Sequence, residues 1–165
     1  MGLSEIQNLD ACIQGWEIEE LYTVKGGAQA AWWVTALELE HLNCQGVSVT
    51  GGSADLRKAF DEIQRELLYE LLRKGGFPER VLKTYIKFQE TLLVHNAVRQ
   101  GLGLPYHRPC SIPQGCPLSI VFMAYMMRPW VLMMKDMGAE LRVLADDIMV
   151  SVAGADSYDR FIPVI

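Results

Sequence analysis

The 165-residue sequence has no Cys-x-x-Cys pair, and His41, His95 and His107 do not recur at zinc-ligand spacing. Its four cysteines, Cys12, Cys44, Cys110 and Cys116, therefore read as free thiols of a reducing, intracellular compartment. An excess of positive charge is also missing. Fifteen Lys and Arg stand against twenty Asp and Glu, for a formal charge of −5. That excludes the broadly basic footprint of a self-sufficient nucleic-acid binder, so basic groups for such a partner would lie in a local patch or elsewhere. The N-terminus has no basic stretch followed by an apolar one, so no signal peptide is visible, and Ile6 departs from the N-myristoylation pattern. The longest apolar run, 117–134, is interrupted by Arg128 and Pro129 and closed by Lys135 and Asp136. It reads as a buried helix, not a membrane span. Repeats and low-complexity linkers are absent.

What is present is a chain that is half hydrophobic, enough for one domain with a real core. The spacing predicts a helix over 28–42, with Trp32 or Trp33, Ala36 or Leu37, Leu39 and Leu42 on its inner face and Glu38 and Glu40 outside. A short, glycine-broken strand follows over 46–56. A helix begins at Asp61, taken as its N-cap, with Ile63, Leu67, Leu68, Leu71 and Leu72 inward, and Gly75-Gly76 closes it. Pro78 opens another helix to about Gln89. Residues 91–98 and 104–112 read as strands about a turn at Gly101–Gly103, a long apolar helix follows Pro117, and 141–152 reads as a hairpin before a ragged tail. The order predicts an α+β fold, an antiparallel sheet with helices packed on one face.

Chemistry enters at "LRVLADDIMVSV", 141–152, where Asp146 and Asp147 interrupt two β-branched runs. The apolar flanks leave little room for a solvated turn, and the favoured two-residue turns contain Gly or Asn, which are missing here. Adjacent carboxylates repel each other, and each gains from a divalent cation. Asp55, at the end of the earlier strand, supplies a third carboxylate. Carboxylates gathered at strand ends suit Mg²⁺, and two such ions about 3.5–4 Å apart would clamp both oxygens of a phosphoryl transfer. Between them lies "SIPQGCPLS", 111–119, a bend in which Gly115 admits close approach of a ligand and Gln114 offers an amide.

In this order and spacing, "ADLRKAFD", "IPQGCPLS" and "LADD" resemble the three palm motifs of the reverse transcriptase family, most closely its non-LTR retrotransposon and group II intron members. The likeness covers about 50–152, with "KGGAQAAWWVTALELE" a fainter match to the segment before the first motif. It implies a palm-like sheet with partial fingers: residues 1–49 as a fingers or N-terminal segment, 50–155 as the palm core, and 156–165 as a tail without a thumb. It implies an RNA-directed DNA polymerase that uses an RNA template, a DNA primer and dNTP. Asp55, Asp146 and Asp147 would be catalytic and would hold two Mg²⁺ ions, or Mn²⁺, with help from the Leu56 carbonyl. Phe60 would exclude a 2′-hydroxyl, Gln114 would contact the sugar and triphosphate, and Gly115 would lie beside the nascent base pair.

Two positions depart from the pattern: Leu144 stands where the family has an aromatic, and Ile120 where it often has proline. Only thirteen residues follow Val152, too few for a thumb, so the resemblance implies a fragment of a longer polyprotein. Other readings stay open. A degenerate, inactive retroelement remnant would keep at most residual metal or nucleic-acid binding. A two-metal nuclease has no use for Phe60 or the Pro-Gln-Gly bend, and an RNA-templated RNA polymerase conflicts with Phe60. Read singly, Asp55 fits a helix cap, Phe60 the core, and Trp32 and Trp33 either core or base stacking. The methionines of 123–137 read as packing.

Overall fold

The computed structural model describes residues 3–16, 18, 20–21, 27–99 and 101–164. Lys25 and Gly26, which begin the fainter motif match, lie outside the described residues. The elements run α1 (Leu3–Trp16), α2 (Gly27–Cys44), β1 (Val49–Asp55), α3 (Ala59–Glu62), α4 (Arg65–Lys74), α5 (Glu79–Thr91), β2 (Ala97–Val98), β3 (Gly101–Leu102), α6 (Ser119–Asp136), β4 (Glu140–Leu144), β5 (Asp147–Ala153) and α7 (Ser157–Phe161), with a closing 3₁₀ turn at Ile162–Val164. The mixture of helices with an antiparallel sheet is the α+β class expected. The chain separates into two compact units: Met1–Trp16 with Lys58–Phe122, and Glu17–Arg57 with Met123–Ile165.

The second unit contains the three-stranded antiparallel sheet, in the order β1-β5-β4. Seven pairs align β1 with β5, from Val49 opposite Ala153 to Asp55 opposite Asp147. Strand alternation sends Leu141, Val143, Ile148, Val150 and Val152 to one face, where they are buried against Met127, Val131 and Met134 of α6. Pro129 lies inside α6 and removes one rung of its hydrogen-bond ladder, but the helix continues. The residues after the hairpin are no ragged tail: α7 buries Phe161 in the same core. The edge of β4 is covered by Leu21, which bridges to Val143 and is itself buried.

α2 forms as expected, but it buries none of its residues, and Trp32 and Trp33 are 63% and 51% exposed. The inner face inferred for it is corrected at the tryptophans, whereas Leu39 and Leu42 are half-buried beside Arg142 and Met149 of the sheet. Its apolar residues surround the helix and do not form one stripe, so periodicity could not orient it.

The first unit is helical. α4 and α5 contribute Leu68, Leu72 and Leu82, all fully buried. Phe122 packs edge-on against Phe77 and Tyr85, with ring centroids 5.6 and 4.8 Å apart. The Gly75-Gly76 stop is a Schellman motif: Gly76 N–H donates to the Arg73 carbonyl, Phe77 N–H to the Leu72 carbonyl, and Gly76 has φ +77°.

The start of that helix differs from expectation. The backbone leaves helical geometry at Ile63 (ψ 123°), so α3 ends and α4 begins at Arg65, with Gln64 before it. Asp61 is therefore not the N-cap; its carboxylate instead accepts from the Arg108 guanidinium at 2.9 Å. The two strands expected over 91–112 contract to the short β2–β3 pair and a bridge between Val94 and Tyr106. The turn falls earlier than Gly101–Gly103, because Arg99 takes the left-handed conformation (φ 52°) and Gly101 joins the ladder.

β1 contains two adjacent glycines with different surroundings. A Cβ at Gly51 would stand 2.8 Å from the Val150 carbonyl oxygen, whereas one at Gly52 would meet only the Phe161 ring, at 3.6 Å. Backbone cannot yield as a ring edge can. Gly51→Ala is expected to destabilise the protein by about 1–3 kcal/mol in urea unfolding, and Gly52→Ala by less than about 1 kcal/mol.

Candidate active site

All three carboxylates singled out in the sequence lie in the second unit, at one end of its sheet. β1 ends at Asp55, directly opposite Asp147, the first residue of β5. Asp146 lies in the two-residue connection between β4 and β5. The Leu56 amide donates to the Asp146 carbonyl at 3.1 Å, which carries the β1 pairing one residue beyond the carboxylates. The turn contains neither Gly nor Asn; Ala145 takes the left-handed conformation at φ 56°, a conformation that costs a residue with a Cβ roughly 1–2 kcal/mol.

The apolar flanks do not bury these acids. Asp55 and Asp147 are exposed and Asp146 is half-buried. Alternation explains this: Val143 and Ile148 of the same hairpin turn into the core, while Leu144 and Asp147, paired across it, take the other face. Leu144, which stands in the place of the family's aromatic, is half-buried there.

That second face forms the floor of a cleft of ≈ 470 Å³, with Ala31, Trp32 and Thr35 of α2 in its wall and Asp55, Asp147 and Leu144 at one end. Arg142 also lines it. Its guanidinium donates to the Glu38 carboxylate (2.8 Å) and the Leu141 carbonyl (2.6 Å), and its side chain is only 16% exposed. Sequence reasoning missed Arg142 and Glu38. The available signal was the charged residue alternating with Leu141 and Val143, which marks a polar sheet face.

The donor set at the sheet end is made of hard oxygens, as Mg²⁺ prefers, and opposed like charges gain from a cation between them. Among the described residues, no three His, Cys, Asp or Glu side chains are grouped closely enough to hold a metal ion. A cation would therefore have to draw these exposed carboxylates inward.

The other predicted residues lie in the first unit. Phe60 is half-buried in α3, and its carbonyl accepts from the Ile112 amide at 2.8 Å. Two residues beyond Ile112, Gln114 and Gly115 form an exposed turn before α6. Gly115 has φ +83° and nothing within 4 Å of where a Cβ would stand, so its conformation, not crowding, favours glycine. Ser119 anchors the end of this turn, with its hydroxyl donating to the Pro113 carbonyl at 2.7 Å.

Over residues 15–165 the sequence matches the family model for reverse transcriptase (RNA-dependent DNA polymerase), and the chain belongs to that family. Among solved structures, the fold is similar to an apo telomerase from Candida tropicalis truncated from its C-terminal domain, with a TM-score of 0.67 and 13% identity. That similarity covers 98% of this chain and 36% of the telomerase chain. A comparison with curated proteins gave no match. Among the described residues, no helix is long and apolar enough to cross a membrane.

Like charges directly opposite on an antiparallel pair destabilise it. In metal-free, low-salt buffer, Asp147→Asn is expected to stabilise the fold by about 0.2–1 kcal/mol, read as a higher urea midpoint. An unchanged or lower midpoint would show that the two carboxylates do not strain the sheet.

Proposed function

We propose that this chain is the catalytic core of an RNA-directed DNA polymerase of a retroelement, acting within a longer enzyme that grips an RNA template and a DNA primer. The observation that carries the reading is the placement of Asp55 opposite Asp147, with Asp146 on the adjoining turn. Membership of the reverse transcriptase family supports it. The chain's span of 36% of the telomerase chain is the reason for proposing a longer enzyme.

In this reading Asp55, Asp146 and Asp147, with the Leu56 carbonyl, would hold two Mg²⁺ ions. When bound, these supply charge neutralisation for in-line attack of a primer 3′-hydroxyl on the α-phosphate of a dNTP. The protein's own part is positioning. The β1–β5 register sets the spacing of Asp55 and Asp147, and the Leu56–Asp146 bond steadies the turn. Phe60, five residues after Asp55, would meet C2′ of the sugar and exclude a ribose hydroxyl. The Gln114 amide would bind the sugar and triphosphate, and the open backbone at Gly115 would face the new base pair.

Primer extension on an RNA template with dNTP and Mg²⁺ tests this in the enzyme that contains the chain. Asp146→Asn should abolish extension, and Phe60→Val should admit ribonucleotides. Mg²⁺ should also raise the melting temperature of the wild type more than that of Asp55→Asn, a readout independent of activity. Retained extension in Asp146→Asn would remove that residue from the chemistry. Absence of extension with Mg²⁺ binding intact would favour a degenerate, inactive remnant.

A further inference from the structure

The first unit contains a buried arginine that none of the roles above uses. Arg65 is 6% exposed. One guanidinium nitrogen donates to the Gln89 carbonyl at 3.0 Å and another to the Arg108 carbonyl. The Glu90 carboxylate lies 3.6 Å from Nε but is half-exposed, and Nε has no hydrogen-bond partner. A buried guanidinium with incomplete pairing is costly, and an apolar residue of similar size would be easier to bury there. What Arg65 supplies that an apolar residue could not is the bridge between two backbone segments.

One of those segments, at Arg108, leads on to Gln114, and Arg65 itself follows the stretch that carries Phe60, the two residues proposed to select the nucleotide. Residues 108–112 run beside residues 60–65. Ile112 N–H donates to the Phe60 carbonyl (2.8 Å) and Ser111 N–H to the Ile63 carbonyl (2.9 Å). The Cys110 thiol donates to the Asp61 carbonyl (3.2 Å), and Arg108 pairs with the Asp61 carboxylate (2.9 Å). Arg65 closes the far end of this zipper and ties it to the end of α5. The surrounding side chains are themselves fixed: Gln89 donates to the Tyr85 hydroxyl (2.6 Å), and the Tyr69 hydroxyl donates to Glu90 (3.1 Å). Burial pushes the Tyr85 hydroxyl up to about 12, so it stays protonated at neutral pH.

We infer that Arg65 is a positioning residue for nucleotide selection: by clamping Arg108 it holds the Gln114 turn at a fixed offset from Phe60. This rests on the roles proposed above for Phe60 and Gln114. The guanidinium fork matters because it serves two carbonyls at once, in a plane, which a lysine ammonium does not reproduce.

Amide hydrogen exchange on the 165-residue chain reads the clamp directly. In Arg65→Met, protection of the Ser111 and Ile112 amides should fall about tenfold or more, with the β4–β5 amides unchanged. If Arg65→Met exchanges throughout, Arg65→Lys replaces it, with the same selective loss expected. In primer extension by the enzyme containing the chain, the KM for dNTP should rise about tenfold with kcat little changed, and preference for dNTP over rNTP should fall. Unchanged exchange at Ser111 and Ile112, or a loss confined to kcat, would overturn the inference while leaving the polymerase reading intact. A wild-type enzyme that extends no primer would overturn that reading and the nucleotide part of this one, leaving exchange to decide whether Arg65 is a clamp at all.

Discussion

The register that sets Asp55 opposite Asp147 is the constraint on which the sheet end depends, and it is locally unfavourable. Opposed like charges cost roughly 0.2–1 kcal/mol. The other face of the same sheet buries Leu141, Val143, Ile148, Val150 and Val152, and each such side chain is worth roughly 1.5–3 kcal/mol. Packing therefore outweighs repulsion several times over. A one-residue slip would relieve the carboxylates but send every buried side chain to the opposite face. The acids are held opposite each other by side chains that pack on the other face of the sheet.

The hairpin turn adds a second local cost that the surroundings sustain. Ala145 is left-handed where glycine would be unstrained, and the Leu56–Asp146 bond ties the turn to the end of β1. Glycine at that position would relax the strain and also loosen the turn that carries Asp146. Strain of this kind is commonly kept where a side chain must be aimed, and here the side chains at issue are Asp146 and Asp147.

Much of this was legible in the sequence, and what was not has physical causes. The 141–152 hairpin, the strand ending at Asp55 and the helix stop at Gly75-Gly76 each carry a local signal: β-branched apolar runs, a short β-branched stretch before glycines, and a glycine where left-handed backbone is needed. The break at Ile63–Gln64 carries no such signal, because Ile63 and Leu67 continue a helical period across it. It is set by the tertiary pairing of 108–112 with 60–63, which draws the Phe60 and Ile63 carbonyls outward. The same pairing took Asp61 from a capping role into an ion pair with Arg108. The exposure of Asp147 differs from expectation for another reason. Apolar neighbours in the chain were taken as apolar neighbours in space, whereas in a strand they point the opposite way. Arg65 and Arg142 were passed over because a single basic residue in an amphipathic stretch ordinarily marks a solvated face.

The first motif, Asp55 to Asp61, reads as one signature but serves two bodies. Asp55 and Leu56 belong to the sheet of the second unit, and Phe60 and Asp61 to the helical first unit, with the boundary between Arg57 and Lys58. Lys58 is left-handed at that point (φ 51°). The conformation is uncommon for a side chain of that size, and it turns the chain out of β1 into α3 within three residues. The strand ends at Asp55 and the helix begins at Ala59, so Leu56, Arg57 and Lys58 alone make the turn between them. The Asp55 end answers to the β1–β5 register and the Phe60 end to the Ile112 bond, so neighbouring residues of one short stretch are fixed by different partners, each within its own unit.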